Sequence, residues 1–397
     1  MKIATKLIHA GVHPDPSTGA IMTPIYQTAT YVQDSLGNHK GYEYARTQNP
    51  TRNALQNALA EIENGKFALC FSSGMAATDA VIKLLSPGDE VIAVNDMYGG
   101  TYRLFTKVFA KYGMKFHFID MQDANNIKNY INEKTRLIWL ETPTNPMMKI
   151  IDIAAVAEVI KGKNIRMCVD NTFASPYLQN PLDHGADLVL HSATKYLGGH
   201  SDVVHGCLIM NDSNLKDQLE FIQNSCGAVP GPQDCFLVLR GLKTLHLRMQ
   251  RHSENGAAIA RWLRNNPRIN KIHWCGFEDH PGHAVAKKQM RDFGGMISFT
   301  LHDDSIEAAT RVLESTKLFA LAESLGGVES LIGHPASMTH ASIPREERIR
   351  NGLADSLIRL SVGIEDVSDL IEDLDNAIGK DDKPAPKKEG ERKVLTA

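Results

Sequence analysis

The chain has 397 residues, 43% of them hydrophobic, 22% charged and 7% aromatic, with a formal net charge of −3. That length buries a large core and suggests two or three domains, while the ordinary apolar share excludes a disordered chain. A near-neutral balance lacks the basic footprint of a nucleic-acid binder, and no run approaches the ~20 apolar residues of a membrane span.

The N-terminal MKIATKLIHAGVHPDP has no apolar core or small-residue cleavage site of the secretory kind, so a cytoplasmic protein is expected. Residues from Met1 to about Pro50 read as mostly irregular and rich in Thr, Tyr, Gly and Pro. A long irregular stretch is uncommon inside a compact domain, so an arm packed on a neighbouring subunit is expected over 1–50.

From Thr51 the pattern alternates. Helices are predicted over Arg52–Glu63, Gly74–Leu85, Thr101–Lys111, Ile127–Asn132 and Ile153–Lys161. Strands are predicted over Phe67–Phe71, Val91–Val94, Lys115–Ile119, Leu137–Leu140, Ile165–Val169, Asp187–Leu190 and Cys207–Met210. Short apolar runs between helical patterns specify βαβ units and a mostly parallel sheet, an α/β domain over 51–250. One long helix, Gln233–Asn265, is predicted to lead out of it. Extended segments at Met296–Leu301 and Leu357–Val362, with helices at Ser305–Glu314 and Glu365–Ile378, make a smaller α+β domain over 251–379. The Pro- and Lys-rich tail, 380–397, reads as disordered.

Six scattered cysteines form no CxxC pair, and five adjoin apolar runs, which fits buried reduced thiols. Sixteen dispersed histidines without HExxH offer no metal-ligand spacing.

The run Asp187-Leu-Val-Leu-His-Ser192-Ala-Thr194-Lys195-Tyr-Leu-Gly-Gly199 ends an apolar strand with hydroxyls, a lysine and a glycine pair. Ligands of open α/β sheets sit at such strand ends, where a desolvated lysine becomes a nucleophilic amine. An exposed lysine is the plain alternative. Ser192-x-x-Lys195 also spells SxxK, but the companion SDN and KTG elements are absent. Asp170 closes another strand, as a turn residue or as a carboxylate that keeps a pyridine nitrogen protonated. Ser72-Ser73-Gly74-Met75 opens a helix directly after a strand, as an ordinary helix start or as free N–H groups that cradle a phosphate. It matches neither GxGxxG nor GxxxxGK, which counts against a nicotinamide-dependent oxidoreductase. Tyr98 ends a fourth strand and places a ring on the same edge. A phosphate cradle, a stacking ring, an acid and a lysine together meet the needs of pyridoxal 5'-phosphate.

With these residues in hand, the chain resembles the Cys/Met-metabolism family of pyridoxal-phosphate enzymes. The resemblance runs from about Leu7 to about Ala377 through SATKYLGGHSD, GYEYARTQNPT, SSGMAA, DMYGGTYR, ETPTNP, VDNTFASP, ESLGGVESL and SLIRLSVGIED. It implies the aspartate-aminotransferase architecture (fold type I), with a mostly parallel seven-stranded sheet. It also implies that Lys195 takes the cofactor aldehyde, Asp170 pairs with the ring nitrogen and Tyr98 stacks on the ring. Gly74, Met75, Ser192 and Thr194 would hold the phosphate, joined from a neighbouring subunit by Tyr44 and Arg46. Asn145, Ser324 and Arg359 would grip the substrate carboxylate. The resemblance also implies a homotetramer, a dimer of dimers with shared active sites, as is usual in the family. None of the key residues is lost, against a non-catalytic relative. His191, His200 and His205 read as structural.

The family's γ-lyases, γ-synthases and β-lyases share this constellation. Glu323 matches a glutamate of the γ-lyases and γ-synthases that would attract the distal ammonium of cystathionine, and Gly99-Gly100 lacks the cysteine that methionine γ-lyases carry after this tyrosine. The expected activity is α,γ-elimination of L-cystathionine, with γ-replacement and then β-elimination as alternatives.

Overall fold

A computed structural model describes residues 1–341 and 344–379. Among these residues two sheets form, each with its own apolar core. The larger holds β1 (Phe67–Phe71), β2 (Glu90–Val94), β3 (Lys115–Ile119), β4 (Thr135–Glu141), β5 (Arg166–Asp170), β6 (Leu188–Ser192) and β7 (Gly206–Met210). Their order is β1-β7-β6-β5-β4-β2-β3, with β7 alone antiparallel to its neighbours β1 and β6. β2, β4 and β5 are buried nearly throughout and apolar in their middles because helices cover both faces of a parallel sheet. The reversal of strand order beside β4 opens a crevice at the carboxyl ends, where ligands of such sheets bind.

Helix starts follow the expected chemistry. Asn49 caps Pro50–Ile62 by accepting the Thr51 and Arg52 N–H groups, and Ser73 caps Gly74–Ile82 through the Ala76 N–H. Each such cap stabilises its helix by about 1 kcal/mol.

The smaller sheet, in order β10-β11-β12-β9-β8, comprises β8 (Ile269–His273), β9 (Met296–Leu301), β10 (Ala320–Leu321), β11 (Leu331–Gly333) and β12 (Ile358–Ser361). Helices Ile306–Ser315 and Val367–Ile378 pack on it through Ala309, Val312, Leu370 and Leu374.

Several sequence expectations are corrected. The N-terminal arm is not irregular from its first residue: Ile3–His9 is helical, and Leu7 and Ala10 join Ala54, Leu55 and Ala58 in the core of their own chain. Beyond it the arm is irregular, with Ile21, Val32 and Leu36 fully open to solvent. The stretch predicted as a helix over Thr101–Lys111 divides into an α turn (Gly99–Arg103), a wide π turn (Leu104–Val108) and a tight 3-10 turn (Phe109–Tyr112). These changes of pitch seat both Phe105 and Phe109 in the core, where Phe105 stacks on Phe116 and meets the edge of Trp139.

The long helix is two, Pro232–Leu242 and Leu245–Arg264. The break frees the Gly241 carbonyl for Arg248, which also bonds the Tyr196 carbonyl at 2.7 Å. The second of these helices spans residue 250 without interruption. Cys70, Cys168, Cys207, Cys235 and Cys275 are buried thiols, and Cys226 is exposed. No helix among the described residues is long and apolar enough to cross a membrane. The 380–397 tail lies outside the described residues.

Candidate active site

The carboxyl ends of β2, β4, β5 and β6 deliver Tyr98, Glu141, Asp170 and Ser192 to one cavity of about 390 Å³. The same cavity takes Gly74, Met75, Thr194 and Lys195 from the larger sheet's connections. Asn145 enters from the turn after β4, and Glu323, Ser324 and Arg359 enter from the smaller sheet. Eleven residues singled out from sequence therefore line a single space.

Lys195 is largely withdrawn from water, and its Nζ lies 2.7 Å from Ser324 Oγ. Burial first, then the nearby Arg359 charge, lowers its pKa to about 8, with Glu323 opposing the shift. The amine is thus far closer to its free, nucleophilic form at neutral pH than a solvated lysine.

Arg359 is itself buried, and burial lowers its pKa to about 10, so it remains charged. One Nη donates to Asn145 Oδ1 at 2.9 Å and the other to the Ser324 carbonyl at 3.0 Å. Ser324 holds φ at +94°, a region that non-glycine residues rarely occupy. Its hydroxyl serves Lys195 while its carbonyl serves Arg359, and these two bonds hold the unusual backbone in place.

Asp170 and Glu141 are register partners across β5 and β4, two buried carboxyls side by side. Burial pushes both pKa values up, and Glu141 is pushed further by the Asp170 charge beside it. The Thr172 N–H and hydroxyl both donate to Asp170 Oδ1, and His191 behind the sheet also favours its ionised form. Of the two, Asp170 is therefore the more readily ionised and Glu141 the more readily protonated. Glu141 accepts the Tyr98 N–H on both oxygens, at 3.0 and 2.9 Å, which fixes the start of the Tyr98 turn. Neither Gly99 nor Gly100 could be larger: a Cβ at Gly99 would lie 2.0 Å from the Thr339 carbonyl, and one at Gly100 would lie 2.4 Å from the Tyr98 ring. The tyrosine ring folds back over its own turn.

Beside Ser192, Gly74 and Met75 begin the helix, and their N–H groups have no acceptor among the described residues. A Cβ on Gly74 would lie 2.9 Å from that of Ser192. Ser192 Oγ is unengaged among the described residues. Thr194 Oγ1 instead exchanges hydrogen bonds with the His205 backbone, so it must turn to serve a ligand. Tyr44 and Arg46 lie outside this cavity. Arg46 packs 5.4 Å from the Tyr44 ring centre and bonds Asn224 at 3.1 Å. None of His191, His200 and His205 lines the cavity; His191 pairs with Glu63 at 2.5 Å, and burial lowers the pKa of His205 to about 3.

Residues 4–379 match the model of the Cys/Met metabolism PLP-dependent enzymes. The chain belongs to that family. A cystathionine beta-lyase of Coxiella burnetii is 52% identical over 378 residues, covering 95% of this chain and 97% of that relative. A cystathionine gamma-synthase of Mycobacterium bovis is also 52% identical over 378 residues, covering 95% and 96%. The crystal structure of a cystathionine gamma-lyase from Lactobacillus plantarum complexed with L-serine superposes with a TM-score of 0.92 at 46% identity, covering 95% of this chain and 98% of that one. As a member of this family of transsulfuration enzymes, the chain uses pyridoxal phosphate.

The residues present fit that cofactor. Free N–H groups at a helix start with an unengaged serine suit its phosphate, an aspartate whose ionised form is favoured by Thr172 suits its ring nitrogen, and a depressed lysine suits its aldehyde. Sequence reading did not single out Glu141, Thr172 or Thr339. Glu141 opens the quoted ETPTNP run, and only its pairing with Asp170 across the sheet shows what it does.

Proposed function

We propose that this chain is a cystathionine γ-lyase, converting L-cystathionine and water to L-cysteine, 2-oxobutyrate and ammonia. The observation that carries the reading is the placement of Glu323, an exposed carboxylate at the cavity rim whose charge acts on Tyr98, Lys195 and Arg359. Cystathionine has an amino-acid group at each end. Arg359, preset by Asn145 and Ser324, would take the near carboxylate in a bidentate fork. Glu323 would meet the distal ammonium, so the substrate's two ends find opposite charges across one cavity.

Pyridoxal phosphate, when bound, supplies an electron sink for negative charge developing beside the substrate's α-carbon. Asp170 would hold the proton on the ring nitrogen. Lys195 Nζ would take the α-proton, give it up again within the site and only then take a proton from the β-carbon, a relay that its flexible stem allows. Tyr98 Oη would donate a proton to the departing sulfur. Tyr44 and Arg46, outside their own chain's cavity, would complete the phosphate site of a second subunit, and the solvent-open apolar residues of the arm fit such pairing within a tetramer.

The named relatives include a β-lyase and a γ-synthase at equal identity, so product analysis is the test. Incubation of the purified holoenzyme with L-cystathionine is expected to yield cysteine and 2-oxobutyrate. Homocysteine with pyruvate would overturn the role given to Glu323. Inertness toward cystathionine, with condensation of an O-acylhomoserine and cysteine, would establish γ-replacement instead.

A further inference from the structure

A second cleft, of about 590 Å³, lies on the opposite side of the turn that carries Asn145. Pro143 and Asn145 line the active-site cavity, whereas Met147 and Lys149 line this one. Across from them stand Lys271 and His273, two residues apart on β8 and so on one face of the strand.

The charges here are unbalanced. Lys149 Nζ and Lys271 Nζ form no ion pair or hydrogen bond among the described residues. The His273 ring has no hydrogen-bond partner there either, although the residue is only 7% exposed. Its ring nitrogens are not sealed from solvent, so a mostly buried imidazole opens its polar atoms to the cleft, where a ligand can replace water. Arg264 is committed elsewhere, bonding Asp279 at 2.7 Å and lying 3.4 Å from the Phe277 ring centre. Asp279, the carboxylate that lines the cleft, is thus paired with Arg264 through one oxygen and not with either lysine. Asp96, behind the shared turn, feels Lys149 but is already held by the Thr144 hydroxyl and the Met147 N–H. His280 uses Nδ1 to accept the Gly282 N–H. Lys149 and Lys271 therefore both line the cleft with no acid bonded to either among the described residues, and the mostly buried His273 lies near both.

We infer that this cleft binds a small organic polyanion, held by Lys149 and Lys271 with His273 as a buried hydrogen-bond partner. Phosphoryl and polycarboxylate groups share the chemistry that would satisfy these cations, charge-assisted N–H···O bonds from two ammonium groups and an imidazole. The volume suits a ligand of metabolite size. Burial, then Lys271, His280 and Lys149 in turn, lowers the His273 pKa to about 4, and an anion would reverse the electrostatic part of that shift. Because the 142–149 turn separates the two cavities, the ligand would sit against the segment that positions Asn145 for the carboxylate fork.

The test is calorimetric titration of the pyridoxal-phosphate-loaded enzyme with inorganic pyrophosphate and, separately, with citrate. Saturable binding of one anion per chain is expected for at least one of the two probes. Pyrophosphate alone would assign a phosphoryl ligand, citrate alone a polycarboxylate, and both would assign the site to either. Affinity is expected to fall about tenfold for each of Lys149→Gln and Lys271→Gln, with basal turnover retained. His273→Asn, folded by its melting curve, is expected to weaken binding as well. Binding is expected to persist in Arg359→Lys, which alters only the active-site fork. Absence of saturable heat with both probes up to about 1 mM would overturn the inference, as would equal affinity in the two lysine variants. Loss of binding in Arg359→Lys would place the anion in the active site and overturn it too.

Discussion

Arg359→Lys separates the geometry of the proposed carboxylate fork from its charge. In the parent, the two Nη atoms are 2.9 Å from Asn145 Oδ1 and 3.0 Å from the Ser324 carbonyl, so the guanidinium plane is fixed before substrate arrives. A lysine ammonium keeps the positive charge but has neither the planar fork nor the reach to satisfy both partners while binding a carboxylate. Losing one arm of a buried charge-assisted pair costs about 2–3 kcal/mol, which corresponds to a fall of about 30- to 150-fold in kcat/KM for L-cystathionine. The loss should appear mainly in KM, because the carboxylate is held alike in the ground and transition states. Steady-state release of 2-oxo acid measures it, with cofactor absorbance and the melting temperature confirming a loaded, folded enzyme. Because the charge next to Lys195 is kept, the pH dependence of cofactor capture should not move. A kcat/KM within threefold of the parent, in a loaded and folded variant, would refute the assignment of Arg359 as the fork.

Three further outcomes are expected. Lys195→Ala should abolish elimination while leaving the melting temperature close to the parent's, since its side chain makes one hydrogen bond, to Ser324, and appreciable product formation would sink its covalent role. Arg46→Ala should weaken pyridoxal phosphate binding, read by fluorescence titration of the apoprotein, although Arg46 lies outside its own chain's cavity; unchanged affinity would remove the contribution across subunits. Covalent capture of pyridoxal phosphate by the apoprotein should accelerate as pH rises, through a midpoint near 8, because a lysine whose pKa is lowered becomes a free amine above that value. A midpoint that stays at the ordinary lysine value would show that Lys195 is not desolvated as described.

What could be read without the fold was local in character. Strands such as Lys115–Ile119 and Met296–Leu301 are apolar runs bounded by turns or charge, and their ends were legible to the residue. Lys195, Asp170, Gly74 and Tyr98 were legible for the same reason, since each directly follows or ends such a run and its chemistry belongs to the strand end. Ile269–His273 was not, because a lysine and an asparagine interrupt its apolar pattern, and it becomes a strand by pairing with β9. Ile3–His9 is too short to be read as a helix on its own and is held by docking on Pro50–Ile62.

Tertiary structure alone decided the partnerships. It brings Asn145 to Arg359 across 214 positions and Lys195 to Ser324 across 129. It sets Glu141 beside Asp170, so that burial and the neighbouring charge raise the pKa of Glu141, and it gathers Lys149, Lys271 and His273 around one cleft. The residue types and their strand-end positions follow from hydrophobic pattern and turn chemistry, which act over a few residues. The depressed lysine, the preset guanidinium and the unpaired cations arise from burial and from charges far apart in the chain, and these exist only once the two sheets have closed on one another.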